Sequence, residues 1–292
     1  PWMHALVRGK MWAGILVSVH RVLPNEGREP QNEYRTRNDM STNSPVAIVL
    51  AAGKGTRMKS DLPKVLFPIF NRPMIEFVLD ALDAAGVQRI VIVVGYRAEE
   101  VKQALAGRKN LVFVEQTEQM GTGHAAMVCR DELRGHDGPV LIVTGDAPLT
   151  QSHSVARLLK EYQENRPACI LGSLHKEDPT GLGRIVRDER GDFVGIVEEK
   201  DATEAQRKLA EVNMSTYLFD CSELLHALDR IGNDNHQGEY YITDCPGVLK
   251  REGKDVRALA VLEPCEALSV NTVEHLRIVE AELRKMGYQC AN

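Results

Sequence analysis

The chain has 292 residues, 43% hydrophobic and 26% charged, proportions that exclude collagen-like, disordered and disulfide-stapled classes. Thirty-six Lys and Arg against 41 Asp and Glu leave a net charge of −5, the wrong sign for a chain that wraps nucleic acid, although a local basic pocket stays possible. Six cysteines lie far apart with no C-x-x-C pair, so neither a zinc site nor a disulfide framework is indicated, and they read as reduced thiols of a cytoplasmic protein.

Residues 1–43 are rich in Arg, Asn, Glu and Pro and read as a loose extension ahead of one domain spanning 44–292. The apolar run 11–19 follows Arg8 and Lys10, which raises a secretory signal peptide as another reading. No small-residue cleavage site follows it, and it is about half the length a membrane span needs, so no membrane partner is expected.

From Val46 the pattern changes to a continuous apolar run, 46–52, that stops at Gly53 and predicts a buried strand. Helical spacing follows over 73–85, opened by Pro73 and closed by Gly86. Strands at 89–94, 111–114 and 140–144 then alternate with helices at 99–105 and 124–133. A helix at 154–162 and a strand at 168–174 lead to a hairpin, 184–186 with 193–197, turned at Arg190-Gly191. A strand at 215–219, helices at 222–231 and 243–250, a strand at 256–262 and a helix at 273–286 complete the chain. The expected fold is α/β, a doubly wound, mostly parallel (Rossmann-like) sheet with an inserted α+β lobe at roughly 175–245. Such sheets bind ligands at the carboxyl ends of their strands, which directs attention to the loops after Ala52, Val114 and Val143.

Gly53-Lys54-Gly55-Thr56-Arg57-Met58, directly after a buried strand, offers flexible backbone and cations, as a phosphate cradle would; alone it could equally be a turn. Met58 stands where a dinucleotide fingerprint needs its third Gly, and no G-K-[S/T] follows as a P-loop requires. Pro63-Lys64 adds a second cation after Arg57, and two cations on one glycine loop suit a triphosphate.

Leu50 to Met58 with Pro63-Lys64 resembles the motif of the sugar-1-phosphate nucleotidyltransferases. Gln116, the run Gln119-Met120-Gly121-Thr122-Gly123-His124, and Gly145-Asp146-Ala147-Pro148-Leu149 are similar to that family's base-reading loop and metal-binding turn. Downstream, Asp178-Pro179-Thr180-Gly181-Leu182-Gly183-Arg184, Ile196-Val197-Glu198-Glu199-Lys200-Asp201-Ala202 and Gln237-Gly238-Glu239-Tyr240-Tyr241-Ile242-Thr243-Asp244 narrow the resemblance. They look like the uridylyltransferase domains of bacterial bifunctional UDP-N-acetylglucosamine pyrophosphorylase/glucosamine-1-phosphate acetyltransferases.

The resemblance implies Mg²⁺-dependent transfer of UMP from UTP to N-acetylglucosamine 1-phosphate, giving UDP-N-acetylglucosamine, a cell-wall precursor, and pyrophosphate. It implies Arg57 and Lys64 as the catalytic cations, and Asp146 and Asn271 as Mg²⁺ ligands. Ala51, Ala52, Gly53, Gly55, Thr56, Gln116, Gln119, Gly121 and Thr122 would bind the nucleotide. Gly183, Glu198, Asn213, Glu239, Tyr241 and Thr243 would bind the sugar. His124 reads as an interior or helix-start residue, since the reaction has no step that needs imidazole.

Two departures touch the sugar side: Thr144 where the family usually has Tyr, and Met214-Ser215 where Thr-Gly is expected. They put the sugar in question and leave open a non-catalytic nucleotide-sugar-binding protein, while the glycine loop, Lys64 and Asp146, which resemble features of the whole superfamily, leave open another nucleotide or sugar phosphate. No hexapeptide repeats follow the last helix, so acetyl transfer is not expected, and the oligomeric state stays open.

Overall fold

The computed structural model describes residues 43–288. The expectations for residues 1–42, and Cys290, lie outside the described residues. The run of apolar residues that begins the fold forms β1 (Val46–Leu50). A two-residue ribbon, β2 (Pro68–Ile69) and β3 (Arg72–Pro73), leads into α1 (Met74–Ala84). Then come β4 (Arg89–Val94), α2 (Ala98–Ala104), β5 (Leu111–Glu115), α3 (Thr122–Met127), β6 (Pro139–Thr144), α4 (Ser152–Asn165) and β7 (Cys169–His175). The second half carries β8 (Arg184–Arg187), β9 (Phe193–Val197), α5 (Glu204–Arg207), β10 (Glu211–Asp220), α6 (Cys221–Leu228), α7 (Asp244–Arg251), β11 (Val256–Ala260) and α8 (Val273–Lys285).

The main sheet runs β11-β7-β10-β6-β1-β4-β5, with β8 pairing β10 and β9 pairing β8. β1 lies parallel between β6 and β4, whereas β10 runs antiparallel to both β6 and β7. This is the expected doubly wound, mostly parallel sheet. Successive strand residues face opposite ways, so each face carries its own core. Ile48, Val91, Val93 and Ile142 meet α3, α6 and α7 through Ala126, Leu224 and Leu249. Ala47, Val49, Ile92 and Val143 meet α1, α2 and α4 through Ile75, Val101 and Leu158. A third cluster joins Met58, Phe70, Leu149 and Val270 to Val279 and Leu283 of α8.

Local chemistry sets the element ends. After α1, Gly86 takes φ +85° while its N–H donates to the Asp83 carbonyl (3.0 Å) and Val87 donates to Leu82 (3.1 Å). That pair of bonds is the left-handed glycine stop which Gly86 predicted. The helix expected at 124–133 is instead two pieces, α3 and a 3₁₀ turn at Arg130–Leu133. The strand expected at 215–219 starts earlier, at Glu211, and is interrupted by a bulge between Asn213 and Thr216. Ser215 sits in that bulge at φ +54°, a left-handed conformation that glycine takes more easily, and it is the position where the resemblance leads one to expect Gly. The lobe expected at 175–245 is tied to the main sheet through the β8–β10 pairing.

Cys129, Cys169, Cys221 and Cys245 are buried free thiols. Burial pushes Cys129 and Cys245 up to about 12, so neither is a nucleophile at neutral pH. Among the described residues no helix is long and apolar enough to cross a membrane.

Candidate active site

The chain leaves β1 toward β4 on one side and returns to β6 on the other, which opens a crevice at the carboxyl end of β1. A cleft of about 500 Å³ lies there. Its lining includes all nine residues assigned to the nucleotide, namely Ala51, Ala52, Gly53, Gly55, Thr56, Gln116, Gln119, Gly121 and Thr122, together with Arg57, Lys64, Asp146, Glu239 and Tyr241.

The glycine loop is shaped for a lysine. Gly55 holds φ +66°, and a Cβ there would lie 2.7 Å from the Lys64 Cβ, so only glycine lets the lysine stem pass. A single turn at Thr56–Met58 then buries Met58 in the α8 cluster and leaves Arg57 outward. Lys64 opens a second turn after Pro63, and its ammonium stands between two oxygens. One belongs to the Asp146 carboxylate, with which it makes a short ion pair; the other is Asn271 Oδ1, at 2.7 Å. Arg57 Nη2 donates to the same Asn271 oxygen at 2.8 Å. The Val270 amide donates to the Asp146 carbonyl at 2.9 Å and so joins the segment after β6 to the segment before α8. Asn271 Nδ2 donates to Ser269 Oγ at 3.1 Å, which turns Oδ1 toward the cations.

A carboxylate and an amide oxygen that converge on one ammonium are hard donors already aimed at a positive charge. That donor set fits Mg²⁺, which takes one or two protein oxygens and fills its shell with water and phosphate. Among the described residues no group of three or more His, Cys, Asp or Glu forms a closed metal cage.

Loop 119–123 rests on segment 239–242. Tyr240 N–H donates to Met120 O (2.8 Å), Gly123 N–H to Tyr240 O (2.7 Å), and Ile242 N–H to Thr122 Oγ1 (3.1 Å). Gly121, at φ +98°, would put a Cβ 2.4 Å from the Tyr240 carbonyl. Gln119 Nε2 donates to the Ala52 carbonyl at 2.8 Å and ties this loop back to the first strand.

The sugar-side residues fall into three places. Glu239 and Tyr241 line the cleft. Gly183, Glu198 and Asn213 form a second cluster: Asn213 N–H donates to Gly183 O at 2.9 Å, and a Cβ on Gly183 would approach Glu198 Oε1 to 3.3 Å. Burial first, then the nearby charges of Asp201 and Asp244, raises the Glu198 carboxyl above its usual range. Asn213 is buried; its Nδ2 donates to Tyr217 Oη at 2.7 Å, while its Oδ1 has no partner among the described residues. Thr243 lines a separate groove, with Asp244 and Val248. Sequence reasoning missed the apolar walls Val65 and Ala125, which carry no local signal. It also missed Arg184, 1% exposed, whose Nη2 donates to Glu199 at 2.6 Å and braces the strand end carrying Glu198.

The profile of the MobA-like NTP transferase domain matches residues 47–231. The chain belongs to that family. This MobA-like nucleotidyltransferase is 45% identical over 240 residues to the bifunctional protein GlmU of Listeria monocytogenes serotype 4a, an alignment covering 82% of the chain and 51% of the relative. It is 41% identical over 247 residues to the bifunctional protein GlmU of Enterococcus faecalis, covering 82% and 54%. The chain thus spans about half the length of the curated relatives it matches. A putative glucose-1-phosphate thymidylyltransferase from Bacillus anthracis, solved in complex with sucrose, superposes with a TM-score of 0.69 at 18% identity, covering 84% of this chain and 98% of that one. That likeness bears on the fold, and it agrees with the doubly wound sheet.

Proposed function

We propose that this nucleotidyltransferase transfers UMP from UTP to N-acetylglucosamine 1-phosphate, in the cytoplasm and in service of cell-wall precursor synthesis. The observation that carries the reading is the convergence of Lys64, Arg57, Asp146 and Asn271 at the mouth of the glycine loop. A sugar phosphate is a phosphate monoester with a second pKa of about 6, so at neutral pH it is already an oxyanion and needs no general base. Its oxygen attacks the α-phosphorus of UTP, the bond from that phosphorus to the bridging oxygen breaks, and pyrophosphate leaves with the electron pair. The protein's task is to bring two anions together and to hold charge on the transferring and leaving groups.

Lys64 would take the α-phosphate; its stem, held against Gly55, and its place in the cleft lining support that role. Arg57, more exposed, suits the departing pyrophosphate. Asp146 and Asn271 would hold Mg²⁺, which when bound supplies charge neutralisation and alignment of the phosphates. With nucleotide present, the Lys64 ammonium exchanges its two oxygen partners for phosphate. Gln116, Gln119, Gly121 and Thr122 would face the base. Glu239 and Tyr241, with the Gly183, Glu198 and Asn213 cluster, would hold the sugar. Thr144 in the cleft and the strained Ser215 favour a second reading, the same chemistry with a different acceptor sugar.

The test is pyrophosphate release with Mg²⁺, crossing UTP, dTTP, CTP and GTP against N-acetylglucosamine, glucose and N-acetylgalactosamine 1-phosphates. Turnover confined to UTP with N-acetylglucosamine 1-phosphate is the expected result. Turnover with another pair keeps the mechanism and changes the substrate. UTP binding with no turnover anywhere in the panel would replace the enzyme by a nucleotide-sugar sensor.

A further inference from the structure

Gln116 lines the cleft and is 4% exposed, so the orientation of its carboxamide decides which kind of hydrogen bond the cleft offers a nucleobase. Two neighbours settle that orientation. The Gln116 Nε2 position is 3.1 Å from the Gly121 carbonyl oxygen, which can only accept, so the atom facing it must be the N–H₂ group. The same nitrogen is 3.0 Å from His124 Nδ1. Its second hydrogen therefore points at that ring nitrogen, which must carry a lone pair, and the imidazole proton sits on Nε2. Both amide hydrogens are then engaged within the protein, and the carbonyl oxygen Oε1 is the atom Gln116 has left for a ligand. Turning the amide over would set Oε1 against the Gly121 carbonyl, acceptor to acceptor, so the arrangement has one low-energy state.

We infer that His124 is a specificity-determining positioning residue, which holds Gln116 with its acceptor oxygen toward the nucleobase and so favours a pyrimidine bearing an N3–H donor. Uracil and thymine carry that hydrogen. Cytosine presents a bare lone pair at N3 and would meet Oε1 acceptor to acceptor. The inference rests on the reading of this cleft as the nucleotide site. It gives a role to a side chain that no step of phosphoryl chemistry requires. His124 suits the role because it is the third residue of α3, whose first turn is pinned by the bonds from Gly123 to Tyr240 and from Ile242 to Thr122. These bonds fix the backbone from which His124 projects.

The experiment compares kcat/KM for UTP and CTP in the unaltered chain, in His124→Phe, which keeps a ring but has no acceptor, and in His124→Asn, whose Oδ1 replaces Nδ1 as acceptor. His124→Phe is expected to lower the UTP-to-CTP ratio about ten-fold or more, mainly through KM for UTP, with kcat changed little, because one hydrogen-bond constraint is lost. His124→Asn is expected to keep most of the selectivity. An unchanged ratio in His124→Phe would overturn the inference, as would an equal loss in His124→Asn. Circular dichroism checks that each variant folds, and if the Phe variant does not, His124→Leu is read the same way. If the unaltered chain turns over no nucleotide, the proposed function falls, and calorimetric binding of UTP against CTP to the same variants still decides the role of His124.

Discussion

Lys64 is the side chain on which most of the site's geometry depends. Its stem passes Gly55 closer than any Cβ would allow, and its side chain, only 14% exposed, ends between Asp146 and Asn271. A positioned charge that meets a transferring phosphate in a partly dry cleft is worth far more than a surface lysine. Lys64→Ala is therefore expected to lower kcat by about 10²- to 10³-fold, with a smaller change in KM for UTP, read in steady-state pyrophosphate release. Lys64→Arg should not rescue it, because the planar, longer guanidinium cannot take the place of a compact ammonium held between Asp146 and Asn271. Glu198 makes the opposite trade. Burial, then Asp201 and Asp244, raises its carboxyl above the ordinary 4.5, so within that raised window the native state keeps a proton which the unfolded chain has released. Stability from this group is present below the unfolded value and is lost as pH rises through the folded one. Glu198→Gln is expected to be more stable than the parent at neutral pH in urea melts, with the two converging in acid, and to raise KM for the sugar phosphate. Equal melts at neutral pH would remove Glu198 from the list of functional strain sites.

At the scale of elements, the loop before α3 and the 239–242 segment behave as one unit. Three backbone-directed bonds join them, and Gly121 has no room for a side chain against Tyr240. Gly121→Ala is expected to destabilise by about 2 kcal/mol, because it combines an unfavourable positive φ with overpacking, and to raise KM for the nucleotide at least about ten-fold. Thermal melts and saturation kinetics check both halves. The elements legible in the sequence were those whose local signals agree with their surroundings. β1 is an uninterrupted apolar run, β4 and β6 hold such runs at 90–94 and 139–143, and α1 has Pro73 before it and Gly86 after it. The elements that escaped have a tertiary cause. β2 and β3 turn through Phe70 and Asn71 at φ +49° and +65°; Phe is no turn former, but burial of its ring against Met58 and α8 offsets the strain. The first half of β10 is hidden because the bulge at Ser215 breaks the alternation that marks a strand.

Across the whole molecule, the candidate site draws on the loop after β1, the turn at Lys64, the segment after β6 and the residues before α8. Arg57 and Asn271 meet although they lie 214 residues apart, a proximity that no spacing rule could reveal and that only the family resemblance anticipated. The α8 cluster explains how it is held, since Met58, Val270 and Leu283 share one core. Thr243 lines a separate groove, although its neighbours Glu239 and Tyr241 line the cleft. The sequence as a whole carries −5, yet the cleft gathers Lys54, Arg57 and Lys64, so its cationic character is local and not a property of the overall charge. Removing divalent ions with EDTA is expected to suppress turnover at least about 10²-fold, with recovery on adding Mg²⁺. Asp146→Ala should blunt that recovery while circular dichroism stays unchanged.

The most direct measurement follows the label from UTP carrying ³²P at the α-phosphate, and separately at the γ-phosphate, during incubation with Mg²⁺ and N-acetylglucosamine 1-phosphate. In-line nucleotidyl transfer predicts α-label in the nucleotide sugar and γ-label in pyrophosphate, at equal rates. Recovery of the α-label only in UTP or in free UMP would contradict transfer to the sugar phosphate.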